Sequence, residues 1–205
     1  MLERRGWLPA EQFADPGAVV GTGILGRPTR DWGAAPHTAA ALAFKAYSWR
    51  LVNPVMLGLA SGGPLPRLDL ANVEVALRDY RPYVDFRVLD HTPLPGTDAV
   101  PLLRRTLLDG HVRPVIEALA VATRIGRRTL WGSVAEAVAS PLLQRRRRAL
   151  AEDLLDALGL AGLVRVVDDD FAVRRTCCQA ITLPDLGICA SCPVQRCLTT
   201  TAVAG

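Results

Sequence analysis

The stretch LVRVVDDDFAVRRTCCQAITLPDLGICASCP, residues 163–193, decides the reading of this chain. Two short β-rich runs flank an Asp-rich turn, the pattern of a β-hairpin. The second run leads directly into Cys177, Cys178, Cys189 and Cys192, spaced Cys-Cys-x10-Cys-x2-Cys. Thiolates are the usual protein ligands of iron–sulfur clusters and are also preferred by zinc. A vicinal pair on an extended strand points its side chains to opposite faces. The backbone therefore has to bend after the hairpin if Cys177 and Cys178 are to share a site.

Outside the hairpin, helical periodicity dominates. A helix is expected from His37 to about Ala60, broken or kinked near Asn53 by Pro54. RLDLANVEVALRDY alternates with a slip at Ala71-Asn72, which predicts a strand carrying a bulge. YVDFRVLD offers a second strand and HTPLPGTD a loop. Helix returns over residues 99–122, interrupted near Asp109-Gly110, then from Leu130 to about Ala139 and from Leu142 to Leu158. Residues 1–36, rich in Gly and Pro, read as loops with short extended pieces. The whole predicts an α+β fold: a predominantly helical single domain (37–205) with a small antiparallel sheet, hairpins, and a cysteine-rich loop over 176–197.

Composition bounds the rest. The chain has 205 residues, 50% of them apolar and 21% charged, enough for a sizeable core. Net charge is +4 and aromatics are 5%, too little of either to indicate nucleic acid. The start, MLERRGWLPAEQ, lacks the apolar run of a secretory signal, and no stretch reaches the ~18 apolar residues of a membrane span. A cytoplasmic, reducing location follows as the expectation, where structural disulfides are rare and metal ligation of the cysteines is favoured. Gly21, Gly23 and Gly26 fall in GxGxxG spacing. No acid follows about 20 residues on, and Pro28, Gly33 and Pro36 intervene, so a turn is expected rather than a dinucleotide site.

Three readings of the cysteines stand on spacing alone. Zinc sites take their thiolates as two CxxC-like pairs, and only Cys189-Ala-Ser-Cys192 has that form. A [2Fe–2S] cluster needs two ligands at each iron and tolerates the splayed vicinal pair better. The simplest assignment puts Cys189 and Cys192 on one iron, Cys177 and Cys178 on the other. Ordinary thiol chemistry or packing is the third reading, and Cys197 is read as a spare thiol beyond the motif.

RRTCCQAITLPDLGICASCP resembles the C-terminal signature of the FhuF-type ferric-siderophore reductases in spacing, in the Arg-Arg-Thr lead-in and in Pro193. TRIGRRTLWGSVAEAVA resembles that family's Leu-Trp-Gly segment, and NVEVAL and HTPLPG stand in the same order, so the resemblance covers about residues 40–197. It implies a cytoplasmic [2Fe–2S] oxidoreductase with Cys177, Cys178, Cys189 and Cys192 as ligands and a ferric siderophore as substrate. Gln179, Ala180 and Ile181 depart from the aromatic and basic residues common there. With no flavin or nicotinamide motif, the electron would come from a separate ferredoxin, flavoprotein reductase or small thiol.

Of Arg174 and Arg175, strand alternation turns one toward the cysteines and the other to solvent. Arg104, Arg105, Arg124, Arg127, Arg128 and Arg145 to Arg148 are candidates for attracting an anionic chelate, the four-residue run reading better as a solvated face. Trp131 reads as a packing residue. His37, His91 and His111 stand without partners at ligand spacing and read as structural.

Overall fold

Two helices buried on nearly every side organise the molecule. The computed structural model describes residues 6–79, 83–92, 98–168, 171–184, 186, 189 and 191–194. Helix α2, Pro36–Ala60, and helix α5, Arg127–Gln144, make the most extensive contact between elements. Buried positions recur on all faces of both, including Ala39, Ala40, Ala41 and Ala43 in α2 and Val134, Ala135, Ala137, Val138 and Ala139 in α5. Helices apolar all round belong in the interior, and small side chains let two such backbones approach.

Proline and glycine act here as helix punctuation. Helix α1, Gly26–Trp32, occupies part of the stretch expected to be loop. Pro28 lies in its first turn, where a missing N–H costs nothing, and Gly33 closes it at φ 60°. Pro36 then opens α2. The glycine turn does lead into a helix, but that helix has seven residues and follows a run of turns, not a parallel strand. Phe13 and Val19 from the same N-terminal stretch lie fully inside the main core.

Pro54 does not break α2, which continues to Ala60. The flanking residues Leu51, Val52, Val55 and Met56 are all buried, and their packing outweighs one lost hydrogen bond. The expected interruption at Asp109-Gly110 is also absent. Helix α3, Ala99–Leu102, passes into a π-helical segment, Leu103–Val112, and on into helix α4, Arg113–Thr123. The break expected between the later helices falls at 145–147, after α5 has run through Pro141, and helix α6 covers Arg148–Ala157.

Strands β1 (Trp7–Pro9), β2 (Val73–Leu77) and β3 (Val84–Val88) form an antiparallel sheet in that order. The slip at Ala71-Asn72 is a tight 3-10 turn rather than a bulge. Buried Asn72 donates to the Arg67 and Asp90 carbonyls at 2.8 and 2.9 Å and accepts from the Asp90 N–H at 2.8 Å. Strands β4 (Val164–Asp168) and β5 (Phe171–Arg174) form the expected hairpin, packed against α5. Its register shift lies between Val166 and Asp168. The loop expected at HTPLPGTD falls mostly outside the described residues, as does Cys197. The fold is thus mostly helical α+β, as the sequence predicts.

His111, fully buried in the π-helical segment, joins three elements. Its Nδ1 lies 2.7 Å from the Leu68 carbonyl, and its Nε2 lies 2.6 Å from the hydroxyl of Tyr47 on α2. The carbonyl can only accept, so Nδ1 carries the proton and Nε2 accepts from Tyr47. Burial pushes the imidazole pKa down to about 4 and the Tyr47 phenol up. Between pH ~6.5 and that value the unfolded chain binds a proton that the native one does not. Stability from this group is therefore full above ~6.5 and falls as pH is lowered, by about 3 kcal/mol across the window. In chemical denaturation, the stability gap between wild type and His111→Gln should narrow from pH 7 to 4. Parallel curves would show that His111 titrates normally.

Candidate functional site

Beyond β5 the chain turns sharply and folds back on the hairpin. The Arg174 N–H donates to the Ser191 carbonyl at 3.1 Å, holding the strand end against the Cys189–Cys192 turn. That turn is closed by the Cys192 N–H on the Cys189 carbonyl at 2.9 Å. Gln179 adopts the left-handed conformation at φ 63° and donates its N–H to Cys177 Sγ at 3.3 Å. Its side-chain oxygen accepts from Thr38 on α2 at 2.8 Å. Here is the bend that the vicinal cysteines require.

The motif cysteines contact one another across the bend, between the two arms of the motif. Cys178 contacts Cys189, and Cys177 contacts Cys192. The physical reason is the reversal at Gln179, which lays the double-cysteine arm against the CxxC arm. Among the described residues no three ligating side chains converge as a single metal ion would need. Cys178 and Cys192 are buried, whereas Cys177 and Cys189 are half-exposed.

One guanidinium lies behind the sulfurs. The Arg174 side chain has no exposed surface. Its Nη2 donates to Cys189 Sγ at 3.3 Å, and it also bonds Cys178. Its Nη1 reaches Ser133 Oγ at 3.4 Å, and its Nε lies 3.0 Å from Glu136 Oε2. That last contact is an ion pair whose alignment falls short of a hydrogen bond. Ser133 and Glu136 stand three residues apart, on one face of α5. The other Glu136 oxygen accepts from the Ser191 hydroxyl and lies 3.5 Å from Lys45 Nζ of α2. Lys45 in turn is 3.4 Å from Ser191 Oγ. A cation–carboxylate–cation chain thus runs from α2 through α5 to the thiols.

The electrostatics follow from that chain. The hydrogen bond from Cys189, helped by Arg174, holds the Cys178 thiol well below the ordinary range. The same hydrogen bond and burial push Cys189 up. Burial raises Cys177. Burial opposes the Arg174 charge, but Glu136 and the two cysteines more than offset it. Arg175, the alternate residue, points out and bonds the Val164 carbonyl.

Gly132 of the Leu-Trp-Gly segment explains how the tail gets so close to α5. A Cβ there would lie 2.1 Å from Thr176 Oγ1 and 3.4 Å from Thr176 Cβ. A side chain at 132 would force the Thr176 hydroxyl, just before Cys177, out of its place. Trp131 is half-buried, with the Arg113 guanidinium 5.3 Å from its ring centre.

Other candidates lie elsewhere. His37 and His91 are exposed and His111 belongs to the core. Arg104 and Arg128 cap the Ala157 and Gly162 carbonyls, Arg127 pairs with Glu117, and Arg145, Arg146 and Arg147 are exposed. Sequence reasoning missed Lys45, Ser133, Glu136 and Ser191. Lys45 is the chain's one lysine and Glu136 a lone acid in GSVAEAVA, each out of place in an apolar helix.

Compared with known proteins, the chain matches a family model described as ferric iron reductase FhuF-like transporter over residues 44–172. The matched region holds Lys45, Ser133 and Glu136 and stops short of the cysteines. No curated protein matches the chain.

Arg174→Met removes the partner of the buried Glu136 Oε2 and should cost about 3–5 kcal/mol in denaturant unfolding. Adding Glu136→Leu should recover most of that loss, and failure to recover would mean that Arg174 acts through packing alone. Gly132→Ala should destabilise by about 1 kcal/mol, overpacking outweighing helix propensity. Thr176→Ala in the same chain should relieve it, whereas additive losses would place the clash elsewhere.

Proposed function

The chain belongs to the ferric iron reductase FhuF-like family, and from that premise we propose that it is a [2Fe–2S] oxidoreductase that reduces ferric siderophore iron in the cytoplasm. The observation that carries this reading is two thiol contacts, Cys178 with Cys189 and Cys177 with Cys192, the first of them held by one buried guanidinium. Cys178 with Cys189 and Cys177 with Cys192 would each hold one iron. That fits the donor set better than one tetrahedral zinc, which needs all four on a single centre. When bound, such a cluster supplies one electron at a time.

The protein's own groups have definite tasks in that reading. Arg174 and the Gln179 N–H place positive charge and a donor against the sulfurs, which favours a more negative, reduced site. Glu136 fixes the guanidinium and tempers its charge. Burial of Cys178 and Cys192 excludes water from one side, while half-exposed Cys177 and Cys189 leave an edge open to redox partners. The substrate's anionic oxygens stabilise Fe(III) far more than Fe(II). A single electron therefore loosens the chelate and lets Fe(II) leave. The electron is delivered by a separate ferredoxin, flavoprotein reductase or small thiol. Among the described residues no helix is long and apolar enough to cross a membrane.

Protein purified without oxygen should be reddish-brown, with about two irons and two sulfides per chain. Its visible and EPR spectra should vanish on Cys→Ser at 177, 178, 189 or 192 and survive Cys197→Ser. Mixing the reduced protein with a ferric siderophore should reoxidise it and yield Fe(II). A colourless protein holding one zinc would instead make the tail a metal staple. A cluster that stays reduced would leave a sensor.

A further inference from the structure

A cleft of about 850 Å³ opens beside the cysteine turn, walled by α1, α2 and the β2–β3 end of the sheet. Its volume lies in the upper part of the range for small-molecule sites, ~300–1,000 Å³. Two of its lining residues tie it to the thiols. Leu186 belongs to the cysteine loop, and Lys45, in the cleft wall, touches Ser191 and Glu136. Lys45 therefore belongs both to the cleft wall and to the network that holds Arg174.

The lining has a distinctive chemistry. Aromatic residues are only 5% of the chain, yet Trp32, Trp49 and Tyr83 all face this space. Arg27, Arg30, Arg50, Arg78 and Lys45 line it too, against Asp79 as the one lining acid among the described residues. Behind them, Asp31 lies between Arg27 and Arg30, and Asp85 between Arg50 and Arg78. Three aspartates thus serve four guanidinium groups, and Glu136 is shared by Lys45 and Arg174. Among the described residues, positive charge is left over on both sides of the wall. Arg30 and Arg50 keep 62% and 43% of their side-chain surface exposed, so their donors can reach a ligand. The Arg27 guanidinium sits 3.8 Å from the centre of the Tyr83 ring, forming a flat cationic and aromatic surface. Rings, donors and excess positive charge suit a ligand that is aromatic, acceptor-rich and anionic.

We propose that this cleft is the docking site for the ferric chelate, and that it selects chelates with anionic aryl-oxygen donors, catecholate or phenolate, over uncharged hydroxamates. The inference rests on the reductase reading and adds to it the substrate class and the residues that recognise it. Trp32 and Trp49 stack against the aryl rings, Arg30 and Arg50 meet the outer oxygens, and Lys45 closes the inner end toward the thiols.

The test uses the full chain with its metal site loaded and two probes: a triply anionic iron(III) tris-catecholate and an uncharged iron(III) trihydroxamate. Binding is read from quenching of tryptophan fluorescence, which needs no turnover. The tris-catecholate should bind at least tenfold tighter, and more weakly as salt is raised. The double charge reversal Arg30→Glu with Arg50→Glu should weaken tris-catecholate binding at least tenfold and change trihydroxamate binding less than twofold. Both arginines are largely exposed, and an unchanged melting temperature checks the fold. Equal binding of the two probes, or an unchanged tris-catecholate affinity in the variant, would overturn the inference. Reduction of the tris-catecholate by the variant at wild-type KM would remove the cleft and leave the reductase reading standing. Wild type that binds tris-catecholate in the cleft without transferring an electron would remove the reductase reading and leave the site.

Discussion

Arg174 carries a full positive charge into a place with no exposed surface, and the arrangement around it follows from that constraint. A guanidinium out of water must be paired and hydrogen-bonded on most of its edge. Here the edge is divided between α5, through Ser133 and Glu136, and the sulfurs of the tail. The carboxylate then needs partners of its own and finds Lys45 on α2 and the Ser191 hydroxyl of the cysteine turn. One buried charge thereby links both central helices to the loop that bears the cysteines. Such a pair adds little net stability, since desolvation offsets most of the attraction. Its value is positional: the tail has one place where Arg174 is satisfied.

Geometry supports the same placement. α2 and α5 form a scaffold of small residues, and Gly132 leaves a notch in which Thr176 lies. The Leu-Trp-Gly segment and the cysteine motif, 40-odd residues apart, are two halves of one contact. The glycine sets the distance, and the ion pair at Glu136, one turn further along α5, sets the orientation.

Much of this was legible in sequence, and the gaps have physical causes. The hairpin and the four cysteines could be read because period-two patterning and ligand spacing are local. α1 was missed because Pro28, Gly33 and Pro36 look like loop residues when they are not placed as first turn, cap and first turn again. Pro54 was expected to break or kink its helix and a break was expected between Ala139 and Leu142, yet burial on both sides carries α2 and α5 through Pro54 and Pro141. Asn72 mimicked a bulge because a side chain that bonds three backbone groups looks, in a string of letters, like a lapse in alternation. The pairing of cysteines turned on Gln179 taking a left-handed conformation, which composition does not announce. The cleft was invisible for another reason. Its arginines come from separate segments, and the eye is drawn to the contiguous run at 145–148, which spans the turn between α5 and α6 and the first residue of α6.

The order of the network along the chain has a consequence for how the protein is made. Lys45 leaves the ribosome first, then Ser133 and Glu136, and only later Arg174 and the thiols that depend on it. Synthesis at ~5–20 residues per second separates α5 from the cysteines by a few seconds. During that interval the scaffold can close with its carboxylate and notch already in place. Within the network the sulfurs thus emerge after the helices that receive them.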